Sequence, residues 1–131
     1  MYNAPGATMG YILVIEDNQA NADITIRILE AAGYTVKHVL RGLEGAKLAR
    51  TDRPDLILMD FDLPDVNGRT LTLVIKRQLG DVKAPPIVAV TGNTSEREIR
   101  LAQAFGCSAF VSKPFLPDDL LMVVHHLLNG E

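Results

Sequence analysis

The 131-residue chain contains a single cysteine, Cys107, so no disulfide can close within it. That composition suits a reducing cytosol. No apolar run approaches the roughly 20 residues that cross a bilayer; the stretch from Leu120 to Leu128 is short and is interrupted by His125 and His126. No basic segment precedes an apolar one at the amino end, which excludes a signal peptide of the usual form. Positive charge is not in excess either. Thirteen Lys and Arg stand against 16 Asp and Glu, a net charge of -3, which argues against a protein whose main work is direct binding of nucleic acid. There is no internal repeat, low-complexity tract or inter-domain linker. These absences lead to the expectation of one cytoplasmic domain over residues 11–131, with residues 1–10 a flexible tail and Met9 near a native start.

What is present alternates. Tyr11 to Ile15 is a continuous apolar run, as expected of a strand buried on both faces. From about Gln19, Ile24, Ile28 and Leu29 recur at helical spacing, and Gly33 stands where a C-terminal cap belongs. Tyr34 to Val39 reads as a short strand, and Leu43, Ala46, Leu48 and Ala49 as a second helical stripe ending before Arg53-Pro54. Asp55 to Met59 is the strongest strand signal in the chain. The loop Leu63 to Gly68 leads into a helix from about Arg69 to Gln78. Pro86 to Val90 is a fourth strand, and Thr94 or Ser95 caps a helix that Gly106 stops near Phe105. Ala109 to Val111 is a fifth strand, and Asp118 to Leu128 a last helix. Strands alternating with helices through short connections predict an α/β domain, a parallel sheet with helices on both faces. The flavodoxin-like order 2-1-3-4-5 is one common solution, which periodicity alone does not choose.

In such a sheet, functional groups gather at the carboxyl ends of the strands. Glu16-Asp17 ends the first strand, Asp60 the third with Asp62 two residues on, Thr91 the fourth, and Lys113 closely follows the fifth. Taken singly, each has a plain structural reading: a capping loop, a turn residue, a strand-end hydroxyl, a surface lysine. Together they fall on one rim. Carboxylates gathered there repel and raise one another's proton affinity unless a cation intervenes. A hard divalent ion with oxygen ligands, Mg²⁺ first, answers that need. With Lys113 as a cationic anchor and Thr91 as a hydroxyl donor, the set suits phosphoryl transfer to a carboxylate.

The segments Ile12 to Asn18, Asp55 to Asp60, Leu63 to Gly68, Pro86 to Thr91 and Ser112 to Phe115 resemble the receiver domains of bacterial two-component signalling, in order and in spacing, from Tyr11 to the C-terminus. Chemotaxis-type regulators are the general pattern. Asn18 with Asn21 is similar to receivers of hybrid kinases and of single-domain cell-division regulators. The resemblance implies the flavodoxin-like fold and a set of roles. Asp60 is then the phosphoacceptor, supplied by a histidine kinase or histidine phosphotransfer protein. Glu16 and Asp17 hold Mg²⁺ (or Mn²⁺) with Asp60 and the backbone carbonyl of Asp62. Thr91 and Lys113 bind the phosphoryl group, Phe110 is the aromatic switch, Gly92 keeps access open, and Lys113-Pro114 is a cis peptide. No membrane contact is implied, the downstream target is unnamed, and a phosphorylation-dependent homodimer is left open, as is whether the domain stands alone or belongs to a larger protein.

Two rival readings share some of these residues. Asp60-Phe61-Asp62 also resembles the nucleophile motif of haloacid-dehalogenase-type phosphatases. Those enzymes carry the motif on their first strand and have a larger body. The second rival is a receiver-like interaction module that no longer takes phosphate. Such modules usually lose part of the acidic set, the threonine or the lysine, all of which this chain keeps.

Overall fold

The computed structural model of the protein describes residues 10–80 and 84–130. Ten elements alternate along it: β1 Ile12–Ile15, α1 Gln19–Ala31, β2 Val36–Val39, α2 Gly42–Thr51, β3 Leu56–Asp60, α3 Gly68–Leu79, β4 Ile87–Thr91, α4 Glu96–Phe105, β5 Ala109–Ser112 and α5 Pro117–Asn129. Their five strands form one parallel sheet in the order β2-β1-β3-β4-β5. This is the flavodoxin-like order. The expected tail at residues 1–10 lies, apart from Gly10, outside the described residues.

The three central strands are buried along their whole length, which is why β1, β3 and β4 read as unbroken apolar runs rather than alternating ones. Alternate residues serve opposite faces. Leu13, Ile15, Ile57, Met59, Ile87 and Ala89 meet Ala46 and Ala49 of α2, Leu71 and Ile75 of α3 and Ala102 of α4. On the other face, Ile12, Val14, Leu56, Leu58, Val88 and Val90 pack against Leu29 of α1 and Leu120 and Val124 of α5. Helices therefore cover both faces, and the strand ends alone are left for chemistry.

Local caps set where each helix starts and stops. Asn18 accepts from the Asn21 N–H, Asn67 from the N–H groups of Arg69 and Thr70, and Ser95 from the Glu98 N–H. Between the two expected caps of α4, the structure selects Ser95. Gly33 (φ 96°) and Gly106 (φ 115°) take the left-handed conformation that ends α1 and α4. The first strand begins one residue later than the apolar run: Tyr11 precedes β1, buried, with its hydroxyl donating to the Asp52 carbonyl. Among the described residues, no helix is long and apolar enough to cross a membrane.

Candidate functional site

Strand register brings the distant acidic segments together. β1 and β3 pair with Ile15 opposite Met59, so Glu16 and Asp60 emerge one residue further on, side by side at the carboxyl rim. β3 and β4 pair with Asp60 opposite Val90, and β4 and β5 with Thr91 opposite Ser112, which puts Lys113 over the same rim. Asp60 is buried at 4% exposure and Glu16 at 7%, whereas Asp17 is exposed. Carboxylate oxygens of Glu16, Asp17 and Asp60 all lie within 4.8 Å of one another.

Among the described residues, one side-chain cation faces this cluster. Lys113 Nζ donates to Asp60 Oδ1 at 2.8 Å and lies 3.8 Å from Glu16 Oε1. The Asp62 N–H donates to the same Asp60 oxygen at 3.0 Å. Glu16 is held from its own loop and from the neighbouring strand: its Oε2 accepts the Asn18 N–H at 3.1 Å, and its backbone carbonyl lies 2.8 Å from His38 Nε2. A carbonyl can only accept, so His38 carries the proton on Nε2.

These contacts divide the charge unequally. Burial pushes the Glu16 carboxyl up to about 7, and the neighbouring Asp60 carboxylate adds to the rise against the opposing Asn18 N–H. Burial also works against ionised Asp60, but the Lys113 ammonium and the Asp62 N–H outweigh it and hold Asp60 below its ordinary value. Lys113 is held above its ordinary value, since Asp60 and Glu16 together overcome the cost of burying its charge. Of the two carboxyls, Glu16 is therefore the one that holds a proton more readily and Asp60 the one that ionises more readily.

Not every residue of the expected set joins this contact. Thr91 is buried at 3% exposure, and its hydroxyl accepts the Asn93 N–H at 3.0 Å. It lines a separate cavity of about 110 Å³ with Phe61, Asp62, Asn93 and Phe110. Phe110 is half-buried and stands edge-on to Phe61, ring centres 6.2 Å apart. Gly92 is exposed, and a Cβ built on it would meet nothing within 4 Å. The Lys113-Pro114 peptide is cis. A larger cavity of about 390 Å³ runs from Glu16, Asp60 and Lys113 along an apolar wall that includes Ile24, Leu58, Val90, Pro114 and Phe115.

Sequence reasoning missed the supports of the site. His38 bonds across from β2, and nothing in its surroundings in the chain marks it. Asp65 is a second case: its carboxylate accepts from Gly42 and Leu43, more than twenty residues earlier. No local pattern signals a helix cap delivered from so far away.

A buried carboxylate at the end of a central parallel strand, flanked by two further acids and a lysine, defines an α/β domain built around an acidic, oxygen-ligand site. The family model for the response regulator receiver domain matches residues 12–125, and the chain belongs to that family. It is 37% identical over 103 residues to the polar-differentiation response regulator DivK of Brucella anthropi, covering 79% of this chain and 83% of that one. It is 40% identical over 116 residues to hybrid signal transduction histidine kinase G of Dictyostelium discoideum, covering 87% of this chain but only 3% of that protein's length. Among solved structures, the receiver domain of sensor histidine kinase PA1611 from Pseudomonas aeruginosa superposes with a TM-score of 0.83 at 30% identity, covering 93% and 98% of the two chains. That structure has a magnesium ion coordinated in its active-site cleft.

Proposed function

We propose that residues 11–131 form a phosphorylation-driven receiver in which Asp60 takes a phosphoryl group from a phosphohistidine of a histidine kinase or phosphotransfer protein. The observation that carries this is the setting of Asp60: buried, bonded through one oxygen to Lys113 at 2.8 Å, and held by that ammonium below its ordinary carboxyl value. Its other carboxylate oxygen makes the attack. The new bond joins that oxygen to phosphorus as the phosphorus–nitrogen bond to the donor imidazole breaks and its electron pair returns to the ring.

The donor set fits a hard divalent cation, because three carboxylates converge within 4.8 Å and offer oxygen ligands only. Glu16, Asp17, Asp60 and the backbone carbonyl of Asp62 would hold Mg²⁺, which when bound supplies positive charge to the phosphoryl oxygens. Lys113 then exchanges part of its contact with Asp60 for the incoming phosphoryl oxygens. Thr91 turns from Asn93 toward the same group, and Phe110 follows into the space beside Phe61. The exposed surface of α4, β5 and α5 changes with them, altering affinity for a partner protein. The two conformers need differ by only a few kcal/mol for this local event to shift the population.

The test is intact-protein mass after incubation with acetyl phosphate and Mg²⁺. Wild type should gain one phosphoryl group and Asp60→Asn none. If a folded wild-type protein gains nothing, from acetyl phosphate or from a histidine-phosphorylated donor, a receiver-like interaction module becomes the better account.

A further inference from the structure

The loop between β3 and α3, residues 61–67, carries Asp62 and is anchored from outside itself. At the start of α2, the N-cap residue Arg41 makes no side-chain capping bond. The cap comes instead from the loop. Asp65 Oδ1 accepts the Gly42 N–H at 2.9 Å, and Oδ2 accepts the Leu43 N–H at 3.0 Å. Both carboxylate oxygens are thus committed to the free donors of another helix, with its dipole favouring the negative charge.

Packing supplies a second, independent link at the same place. A Cβ on Gly42 would sit 2.4 Å from Val66 Cγ1 and 3.2 Å from Leu63 Cδ1. Helix and loop are therefore in contact at a distance only glycine permits. From Asp65 the chain runs back through Pro64, whose φ is fixed by its ring, and the buried Leu63 to Asp62. This is a short, stiff path. At its end the Asp62 N–H meets Asp60 Oδ1 at 3.0 Å. On the other side, Asn67 caps α3.

We propose that Asp65 is a positioning residue: by capping α2 it holds the β3–α3 loop so that the backbone of Asp62 presents its carbonyl to the divalent cation and its N–H to Asp60. This rests on the reading of Asp60 as phosphoacceptor and of the Asp62 carbonyl as a metal ligand. Asp65 touches neither cation nor phosphoryl group; it acts through the loop backbone.

The full chain and the variants Asp65→Ala, Asp65→Asn and Asp60→Asn are compared by Mg²⁺ titration followed by NMR and by the rate of Asp60 labelling from acetyl phosphate. Asp65→Ala should weaken Mg²⁺ binding by about tenfold, the low end of the cost of losing a group that orients a metal ligand. Its labelling rate should fall at low Mg²⁺ and return toward wild type at saturating Mg²⁺. Asp65→Asn keeps an acceptor oxygen and should recover most of the affinity; it also carries the test if the alanine variant does not fold, a loss of at least twofold (roughly, one capping bond of two) being the supporting result. Wild-type Mg²⁺ affinity in folded Asp65→Ala, or in Asp65→Asn where the alanine variant is unfolded, overturns the proposal. If wild type itself shows no Mg²⁺-dependent labelling, the reading of Asp60 fails instead, and the Asp60→Asn control separates the two cases.

Discussion

Lys113 Nζ lies 2.8 Å from Asp60 Oδ1, with Glu16 Oε1 a further contact at 3.8 Å. A lysine from the end of β5 is thus the only side-chain cation that the described residues place on the acidic pair. It offsets repulsion that would otherwise oppose folding of the rim. Lys113→Ala should therefore lower stability, by about 1–3 kcal/mol for a charge-assisted bond that is largely out of water. Urea unfolding at pH 7 measures the loss, and added Mg²⁺ should restore part of it. Phosphorylation of this variant should leave the NMR signals of α4 and β5 near their unphosphorylated positions; a full wild-type shift would contradict the role given to Lys113.

Proton binding by Glu16 gives stability a definite pH dependence. Its carboxyl is raised to about 7 in the folded protein, so between the ordinary carboxylate range and 7 the folded state holds a proton that the unfolded state has released. Its contribution to stability is fully present below the unfolded value and is lost as pH rises through 7. Asp60, held low, contributes in the opposite sense: its stabilisation is present above the unfolded value and lost as pH falls through the folded one. Metal-free protein should become less stable from about pH 5 to pH 7.5, and Glu16→Gln should flatten that slope. Mg²⁺ binding should tighten over the same interval and release a proton, readable by calorimetry in buffers of different ionisation enthalpy.

Gly68 offers a steric test. A Cβ there would stand 2.3 Å from Phe61 Cδ1 and 2.9 Å from the Phe61 Cα, and backbone cannot swing aside as a side-chain tip can. Gly68→Ala should cost about 1–3 kcal/mol in thermal or urea unfolding, as overpacking does, despite alanine's better helix propensity. Because Phe61 lies between Asp60 and Asp62, the labelling rate should fall as well.

Gly92 gives the contrast. It stands exposed beside Thr91 with open space where a Cβ would go, so Gly92→Ala should change stability by no more than about 0.5 kcal/mol. Gly92→Leu should instead slow labelling by a protein phosphodonor while leaving unfolding unchanged. An unaltered rate with the protein donor would remove the access role.

Much of the molecule is legible in the chain because its signals are local. The strands Ile12–Ile15, Leu56–Asp60 and Ile87–Thr91 are apolar up to the Asp60 and Thr91 that end the last two, since each is covered on both faces, while Ser95 marks the start of α4 through its side chain and Gly106 the end through its left-handed backbone. The rim positions of Glu16, Asp17, Asp60, Thr91 and Lys113 follow from their places at strand ends. The supports do not follow, for His38 and Asp65 act across the sheet edge and across the loop on groups far away in sequence.

The sequence by itself therefore determined the alternation of elements, the buried strands and the collection of acidic and basic groups at one end of the sheet, because hydrophobic period and strand termini are properties of short segments. Only the tertiary structure decided that Asp60 shares Lys113 with a Glu16 whose proton affinity burial raises, that Thr91 rests against Asn93 in a separate cavity, and that α2 is capped from the β3–α3 loop. Those relations depend on strand register and on distances of a few ångströms between remote residues. Coulomb energy and hydrogen bonding vary steeply over that range, whereas the pattern of side chains along the chain does not record it.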